Sequence, residues 1–260
     1  VLDLMREYQT QVLRYDTEHH FRNTKLKPGS SFSDYAIKKT PSDSHLTEVL
    51  TAKDRFQVKL DESIWYLPND LSPLSLEIHR KVVFHHSEKL PVEWDYVTCH
   101  NINRFAHRSK YKTVTLSEEP HNDFPFPAYH TSNTCWWSSV EPECLRWPKV
   151  IWSRSGYMKP IPDEGIYGVT DMSYFVRVDN GEEASRLAHN LSRNLIRYIS
   201  LTAKWSGFGN ERVFCALPNL PRDYQLTDGD LYSLFRLTQE EVNYVEAFLA
   251  PKNRRRTKKT

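Results

Sequence analysis

The segment that follows Gly181 constrains this chain most, because its apolar residues recur at every fourth position. The recurring residues are Leu187, Leu191, Leu195 and Ile199. Residues four apart lie on one side of an α-helix, so the pattern predicts an amphipathic helix over residues 181–199 with its leucine side buried in a core. Another, polar side of this helix carries Arg186, Asn190, Arg193 and Arg197. We therefore expect the helix to present a cationic surface.

Two further helices are predicted from their first residues. Ser72-Pro73 is a typical helix start, because proline is favoured in the first turn. The apolar side of this helix, which should end near His86, would consist of Leu74, Ile78 and Val82. Near the C-terminus, Thr238 and Glu241 have the spacing of a capping box. This spacing predicts a last helix whose apolar residues are Val242, Val245 and Phe248.

Several short segments have the composition of β-strands. Phe56, Val58 and Leu60 alternate with polar residues, which is typical of a strand with one buried side. Apolar or β-branched runs predict further strands at residues 94–99, 111–115, 149–153 and 174–178. Because the strands are short and do not alternate regularly with helices, the sequence predicts an α+β fold of short mixed strands and a few packed amphipathic helices.

The remaining segments divide the chain into three parts. Residues 1–15 lack glycine and proline and have apolar residues at helical spacing, which predicts a helix followed by a polar connection. We assign residues 1–50 to this helix and connecting segment, residues 51–250 to a DNA target-recognition domain, and residues 251–260 to a basic, disordered tail. Within the main domain, residues 120–148 are rich in proline and aromatic residues and predict a long irregular loop.

The distribution of charge matters more than its total. The formal net charge is +2, but the tail from Lys252 contributes six cations and no acid, and without them the net charge is −4. Bulk attraction therefore does not explain binding to a polyanion, and a nucleic-acid surface requires a local cationic patch. The tail would add a salt-sensitive, unspecific affinity for any polyanion.

The sequence indicates a cytoplasmic location. Its four cysteines do not suggest the disulfide framework of a secreted protein, and no signal-like apolar stretch follows Val1. No apolar run approaches the length of a membrane span, so no membrane partner is expected. Because the chain starts at Val1 without methionine, we also expect it to be a piece of a longer protein.

Residues typical of a catalytic centre are sparse. A methyltransferase needs a glycine-rich cofactor turn and an Asn/Asp-Pro-Pro-aromatic loop, and Gly165-x-x-Gly168 lacks the strand-turn-helix setting of such a turn. We therefore expect no cofactor in this chain. No metal site is assigned either, because close cysteine pairs are missing among the possible zinc ligands Cys99, His100, Cys135 and Cys144.

A metal-dependent nuclease is an open alternative. Such an enzyme needs clustered carboxylates with a lysine. Near Lys159, the available carboxylates are Asp163, Glu164 and Asp171. Residues 121–123 read His-Asn-Asp and superficially resemble a His-Asn nuclease element. Ordinary loop polarity explains both groups as well.

Two stretches of the sequence contain basic residues and no acid. The first stretch, residues 144–162, contains Arg146, Lys149, Arg154 and Lys159, and the second, residues 184–210, contains Arg186, Arg193, Arg197 and Lys204. In the first stretch the cations are interleaved with aromatic residues, a mixture that suits phosphate pairing and stacking on bases. We expect these two acid-free stretches to fold side by side into a cationic cleft. The alternative is that the tryptophans are core residues and the arginines form a solvated surface.

The order of motifs in the C-terminal part of the chain resembles a known family. Residues 148–157 read PKVIWSRSGY, and residues 163–170 read DEGIYGVT. Residues 203–214 follow with AKWSGFGNERVF, and residues 237–242 read LTQEEV. In this order, the runs resemble the target-recognition (specificity) domains of adenine-specific DNA methyltransferases of the TaqI-like, restriction-modification type.

The resemblance implies a target-recognition-domain-like fold and a division of labour. In that family a separate catalytic domain binds S-adenosylmethionine, while the specificity domain closes over DNA, reads base edges and helps to expose the target adenine. The expected partners are therefore double-stranded DNA and a methyltransferase catalytic domain or subunit that carries the S-adenosylmethionine. The chain itself is expected to be a non-catalytic, sequence-specific DNA recognition module.

Candidate DNA contacts follow from side-chain chemistry within the motifs and the acid-free stretches. Arginine can read guanine or hold phosphate, lysine pairs with phosphate, and small or glycine-flanked residues permit close backbone approach. The candidates are Lys149, Arg154, Ser155, Tyr157, Lys159, Arg193, Arg197, Lys204 and Asn210. Two other functions stay open: a metal-dependent DNA endonuclease of a restriction system, and a protein-interaction subunit that uses the aromatic residues of segment 124–147.

Overall fold

The protein has an α+β fold, as the sequence predicted, in which helices pack beside three small sheets. The computed structural model describes residues 8–15, 33–41, 46–51, 54–95, 116–131, 134–154, 158–203 and 211–250. No helix within these ranges is long and apolar enough to cross a membrane.

The strands and helices of the described residues follow one another in this order: β1 (Tyr8–Tyr15), β2 (Ser33–Pro41), β3 (Leu46–Thr51), β4 (Arg55–Lys59), α1 (Pro73–His79), β5 (Leu116–Ser117), β6 (Phe126–Thr131), β7 (Thr134–Ser138), β8 (Pro148–Ser153), β9 (Ile161–Glu164), β10 (Gly168–Val169), β11 (Ser173–Arg177), α2 (Gly181–Leu191), α3 (Asn194–Thr202), α4 (Glu211–Phe214), α5 (Asp228–Leu234) and α6 (Gln239–Leu249). A π-helical turn, Arg80–Phe84, extends α1, and a 3₁₀ turn, Glu143–Arg146, precedes β8.

The first sheet has the strand order β2-β1-β3-β4, and its strand β1 takes the place of the predicted helix over the described residues 8–15. Strand β1 covers residues 8–15 and pairs antiparallel with β2 and parallel with β3. The helical prediction is wrong for these residues, because hydrogen bonding to strands on both sides outweighs a weak local pattern. Strand β2 lies within the expected polar connection. The sheet also joins strands from both sides of residue 50, where the sequence suggested a boundary.

Helix α1 begins where the sequence predicted. The Ser72 hydroxyl accepts a hydrogen bond from the Ser75 N–H at 3.0 Å, and Pro73 occupies the first turn. Of the predicted apolar side, Ile78 and Val82 are fully buried and Leu74 is half-buried. The π-helical turn ends at Phe84, close to the predicted end of the helix.

The second sheet, in the order β10-β6-β7-β5, corrects the prediction of a long irregular loop over residues 120–148. Strands β6 and β7 pair antiparallel as a hairpin within that segment. Aromatic residues favour strands when a sheet face is available to pack on, and Trp136 of β7 is buried with Leu116 and Ala128. Of the strand runs predicted at 94–99 and 111–115, only residues 94 and 95 are described.

The third sheet, in the order β11-β8-β9, contributes buried residues of β8 and β11 to the main hydrophobic core. Its strands β8 and β11 confirm the strands predicted at 149–153 and 174–178. Trp152 and Tyr174 are fully buried and both contact the ring of Phe214 edge-on. Trp152, one of the two tryptophans of the first acid-free stretch, is therefore a core residue, which limits the aromatic surface available for bases.

The helix predicted over residues 181–199 is two helices, α2 and α3, separated by Ser192 and Arg193. Its apolar side is confirmed, because the four recurring leucine and isoleucine residues are all buried. The polar side is not continuous. Asn190 is fully buried, its side chain donating to the carbonyls of Pro221 and Tyr224 and accepting from the Leu226 N–H. Three hydrogen bonds of Asn190 thus join the segment that leads to α5 to helix α2.

The capping box predicted for the last helix is confirmed. The Thr238 hydroxyl accepts from the Glu241 N–H, and the Glu241 carboxylate accepts from the Thr238 N–H at 2.6 Å. Glu241 also accepts two hydrogen bonds from Lys81 Nζ, at 2.7 and 2.8 Å. This carboxylate therefore ties α6 to the π-helical turn that extends α1.

A buried histidine links α1 to the end of α3. His79 is fully buried, its Nδ1 lies 2.6 Å from the Tyr66 hydroxyl, and its Nε2 lies 2.8 Å from the Thr202 hydroxyl. Because Thr202 donates its proton to the Tyr198 carbonyl, His79 Nε2 donates to the Thr202 hydroxyl oxygen. Burial lowers the pKa of His79 to about 3.

The pKa of His79 makes folding stability depend on pH. The unfolded chain takes up a proton at His79 below about pH 6.5, whereas the folded protein resists protonation until about pH 3. The free energy of unfolding should therefore fall as the pH drops through this window, by up to about 1.4 kcal/mol per pH unit. Urea denaturation between about pH 7 and pH 4 measures this slope.

The control for this prediction is the exposed His121, whose side chain is 64% exposed. His79→Gln should lower stability at neutral pH and flatten the pH slope, whereas His121→Gln should change neither. An unchanged slope in His79→Gln would show that His79 does not carry the effect.

Candidate nucleic-acid interface

Lys149 lies in the core and not on a DNA-facing surface. Its side chain and that of Asp163 on strand β9 are 0% and 1% exposed, with Nζ 2.6 Å from Oδ2. Nζ also donates to the carbonyls of Cys144 and Trp147, so three acceptors satisfy its three donors. The assignment of Lys149 to DNA contact is wrong, because the pairing of β8 with β9 sets Lys149 opposite Asp163 and both side chains are buried.

Asp163 also fixes the turn that follows it. Its Oδ1 accepts from the N–H groups of Ile166, at 3.0 Å, and Tyr167, at 3.3 Å. Gly165 in this turn has a φ of +97°, and a Cβ there would lie 2.8 Å from the Arg146 carbonyl oxygen, so the position requires glycine. The run at residues 163–170 therefore has a structural role: it holds the turn between β9 and β10 in close contact with Arg146 of the 3₁₀ turn.

Acids from outside the acid-free stretches neutralise some of their cations. Arg146 pairs with Glu141 at 2.9 Å, and Arg186 pairs with Glu182 at 2.7 Å. Both pairs are solvent-exposed. An acid-free run of sequence is therefore not an acid-free surface, and these two arginines are weaker candidates for binding an anion than the sequence alone suggested.

A cleft brings the two acid-free stretches together. It has a volume of about 310 Å³ and is lined by Met158, Lys159, Arg197, Ser200 and Leu201. Met158 and Lys159 belong to the first stretch and lead into β9, whereas the other three belong to α3 in the second. The structure thus brings two of the predicted DNA contacts, Lys159 and Arg197, to one concave surface.

Helix geometry explains the α3 side of the cleft. Arg197, Ser200 and Leu201 are three and four positions apart and therefore share one side of the helix. The Ser200 hydroxyl donates to the Ile196 carbonyl at 2.8 Å and lies 3.6 Å from Met158 Sδ, which joins the helix to the first stretch. The leucine pattern that buries the other side of α3 is what turns this side towards Lys159.

Lys159 and Arg197 keep their charges available. Both are exposed, and neither has a carboxylate partner among the residues that the structure describes. Arg197 Nη1 lies 3.4 Å from the amide oxygen of Asn194, one turn earlier, and Asn194 in turn donates to Glu246 of α6. The acidic side of α6 therefore meets α3 near its first turn, and the cationic cleft lies towards its second half.

Two other candidates lie at element ends. Arg154 follows β8, is half-buried, and places Nη1 3.5 Å from the Asp171 carbonyl. Arg193 precedes α3, is half-buried, and donates from Nε to the His189 carbonyl at 3.3 Å. Neither is among the described residues that line the cleft. Ser155, Tyr157, Lys204 and Asn210 lie outside the described residues.

The residues suggested for a nuclease do not form a metal-binding group. In the described part of the chain, no three His, Cys, Asp or Glu side chains lie close enough to hold one ion. The Asp163 carboxylate already accepts from Lys149 and two main-chain N–H groups. His121 is exposed and lies 3.4 Å from Asp123, as expected for a surface turn.

The aromatic residues of segment 124–147 pack within the segment and against strands β8, β10 and β11. Trp136 is buried and stacks on His130 with ring centroids 4.4 Å apart. Trp147 is half-buried beneath the guanidinium of Arg177, which lies 4.3 Å from the ring centroid. Every described aromatic side chain of this segment is buried or half-buried. The segment therefore offers little exposed aromatic surface for a partner subunit.

Sequence reasoning missed Met158, Ser200 and Leu201. All three are half-buried and uncharged, and a search for cations does not reveal them. Ser200 and Leu201 have a detectable signal, because they follow Arg197 at helical spacing. Met158 has none, since its position depends on how the chain leaves β8 and enters β9.

Comparison with known proteins does not assign a family. No protein-family model matches the chain, and no curated protein matches it.

Removal of the Lys149 ammonium should be strongly destabilising. Lys149→Met leaves the Asp163 carboxylate buried without a cation, a loss of about 3 to 5 kcal/mol in the free energy of unfolding. Adding Asp163→Asn removes that charge and keeps an oxygen for the Ile166 and Tyr167 N–H groups. The double variant should therefore be more stable than Lys149→Met alone, as measured by denaturant unfolding.

The exposed pair of Arg146 with Glu141 provides the control, since Arg146→Met should cost only about 0 to 1 kcal/mol. Equal losses in Lys149→Met and Arg146→Met would contradict a buried role for Lys149. A double variant no more stable than Lys149→Met would contradict the pairing with Asp163.

Proposed function

We propose that this chain is a non-catalytic, sequence-specific DNA recognition module that positions an adenine methyltransferase catalytic domain or subunit on its target. The proposal combines the resemblance of residues 148–157, 163–170, 203–214 and 237–242 to target-recognition domains with one structural observation. That observation is the cleft in which Lys159 and Arg197 meet.

The cleft supports DNA contact because its two cations are exposed and have no carboxylate partner among the described residues. Lysine and arginine pair with phosphates and release condensed counterions, which gives binding that weakens as salt rises. The body of the chain has a formal net charge of −4 without its tail, so such a local surface is what attraction to DNA requires.

Phosphate contacts position a protein on DNA, but base contacts specify the sequence. Under this proposal, Lys159 and Arg197 set the position, and Arg193 adds charge at the start of α3. Reading of base edges is assigned to Arg154 and to four residues that are close in sequence to the cleft residues. Ser155 and Tyr157 precede Met158, and Lys204 and Asn210 follow Leu201.

Methyl transfer is assigned to the partner. S-adenosylmethionine would bind to the catalytic domain or subunit, where the family resemblance places the transfer chemistry. This chain would bind double-stranded DNA and fix the position of its partner along the duplex. Incubation with plasmid DNA and Mg²⁺ or Mn²⁺ separates this function from an endonuclease: the proposal expects intact plasmid, and cleavage would contradict it.

Loss of either cleft cation should weaken binding to duplex DNA and reduce its salt dependence. The slope of log K against log salt is negative for a protein that binds DNA phosphates. Lys159→Gln and Arg197→Gln should each make it less steep by about 0.9, because each removes one phosphate contact. Fluorescence anisotropy with a labelled duplex at several salt concentrations measures this. Thermal unfolding of the same variants should stay close to wild type, since both side chains are exposed.

Matched controls come from the same acid-free stretches. Arg146→Gln and Arg186→Gln remove cations already paired with Glu141 and Glu182, and they should change the slope less. Equal effects at all four positions would indicate unspecific attraction to the protein, which contradicts a defined DNA surface at the cleft.

Sequence specificity has its own test. Selection of binding sites from a pool of randomised duplex DNA should enrich one adenine-containing motif, and a charge-neutralised Arg154→Gln variant should relax at least one base of that motif. Recovery of unenriched sequences would leave only unspecific binding and contradict the recognition role.

A further inference from the structure

We propose that the surface around the 3₁₀ turn Glu143–Arg146 binds a second copy of this chain, so that two chains associate about a twofold axis. The residues of this surface, which we call the turn surface, are Val140, Glu143, Ile166 and Arg177. The inference goes beyond the proposed DNA function and does not depend on it.

Ile166 is the apolar centre of the turn surface. It is 61% exposed, more than any other large apolar residue in the described part of the chain. It lies in the turn between β9 and β10, a kind of position that usually holds polar residues, glycine or proline. Contact with another protein would remove its apolar area from water, which is favourable. Val140, which is 42% exposed, adds apolar area beside the same 3₁₀ turn.

The turn that carries Ile166 is held in place before any partner binds. The Ile166 N–H donates to Oδ1 of Asp163 at 3.0 Å, so the buried ion pair positions this residue directly. Gly165 and Gly168 lie so close to the 3₁₀ turn and to the proline before it that a Cβ at either glycine would clash. An anchor that is already ordered loses little conformational entropy on binding.

The turn surface also carries one exposed charge of each sign. Arg177 is exposed, with its guanidinium 4.3 Å from the ring centroid of Trp147, the residue directly after the 3₁₀ turn. Glu143 is exposed and begins that turn. Neither has an oppositely charged partner in the part of the chain that the structure describes, whereas the neighbouring Glu141 and Arg146 pair with each other.

A surface with an apolar centre and both signs of charge is self-complementary. In a twofold contact, each pair of residues that meets across the interface occurs twice, once in each direction. Arg177 of one copy would therefore pair with Glu143 of the other, twice in the dimer, while the Ile166 side chains pack near the axis. A partner whose surface carried a single sign of charge would leave one of the two charges unpaired, so the surface fits a second copy best.

The turn surface and the cleft lie at opposite ends of the third sheet. Strand β8 begins just after the 3₁₀ turn, and its antiparallel pairing with β9 sets Ile151 opposite Ile161. Met158 and Lys159, which lead into β9, therefore lie near the end of β8. Association through the turn surface leaves the cleft open to DNA.

Sedimentation velocity of the chain at increasing concentration, without DNA, tests the proposal. Wild type should change from one chain to two as the concentration rises. Ile166→Asp should weaken this association about tenfold or more, because it places a charge at the centre of the interface. Leu234→Asp is the matched control, since Leu234 is 48% exposed on α5, outside the turn surface, and its replacement should leave association unchanged. Thermal unfolding of both variants should stay close to wild type.

An exchange of charges tests the predicted pairing. Arg177→Glu and Glu143→Arg should each weaken association, because like charges then face each other across the axis. The double variant should restore association, since each pair forms again with its signs reversed. Loss of the contact between Arg177 and Trp147 alone would not be repaired in this way.

A wild-type chain that stays single at every concentration would overturn the proposal and leave the turn surface to a partner of another kind. Equal effects of Ile166→Asp and Leu234→Asp would overturn it as well, and so would a double charge variant that associates no better than the single ones. These measurements contain no DNA, so failure here is distinguishable from failure of the proposed DNA function.

Discussion

The buried ion pair of Lys149 and Asp163 is the constraint on which the C-terminal part of the protein depends. It joins neighbouring strands of the third sheet, takes up the carbonyls of Cys144 and Trp147, and holds the turn that contains Gly165. Burying both charges is costly, and the arrangement is stable because every donor and acceptor of the pair is satisfied. With this region fixed, the chain leaves β8 and re-enters at β9 in a defined place, which puts Met158 and Lys159 beside α3.

The same pair explains why charge in the sequence is a poor guide to charge on the surface. Lys149, Arg146 and Arg186 all lie in runs without acids, yet each meets a carboxylate that lies just outside its run in the sequence. Lys159 and Arg197 differ because they point to solvent at a cleft. The candidate site is therefore defined by exposed cations that have no carboxylate partner among the described residues. The number of cations in a stretch of sequence does not define it.

The elements predicted correctly are those whose local signals agree with their packing. The capping residues Ser72 and Thr238 mark true helix starts, and the runs at 149–153 and 174–178 become buried strands. Predictions failed where strand pairing decides the outcome: β1 is held by β2 and β3, and β6 and β7 pair with each other, with β10 beside β6 and β5 beside β7. The cleft was foreseen only as a meeting of two cationic stretches, because the apolar lining depends on tertiary packing.

Chemical footprinting of lysines with and without duplex DNA tests the central claim most directly, since one experiment reads burial and contact together. An amine-reactive reagent should leave Lys149 unmodified in the folded protein in both samples, and should modify Lys159 in the free protein but much less in the complex. Lys59, exposed at the end of β4, should react equally in both. Modification of Lys149 in the folded protein, or equal reactivity of Lys159 with and without DNA, would contradict the account.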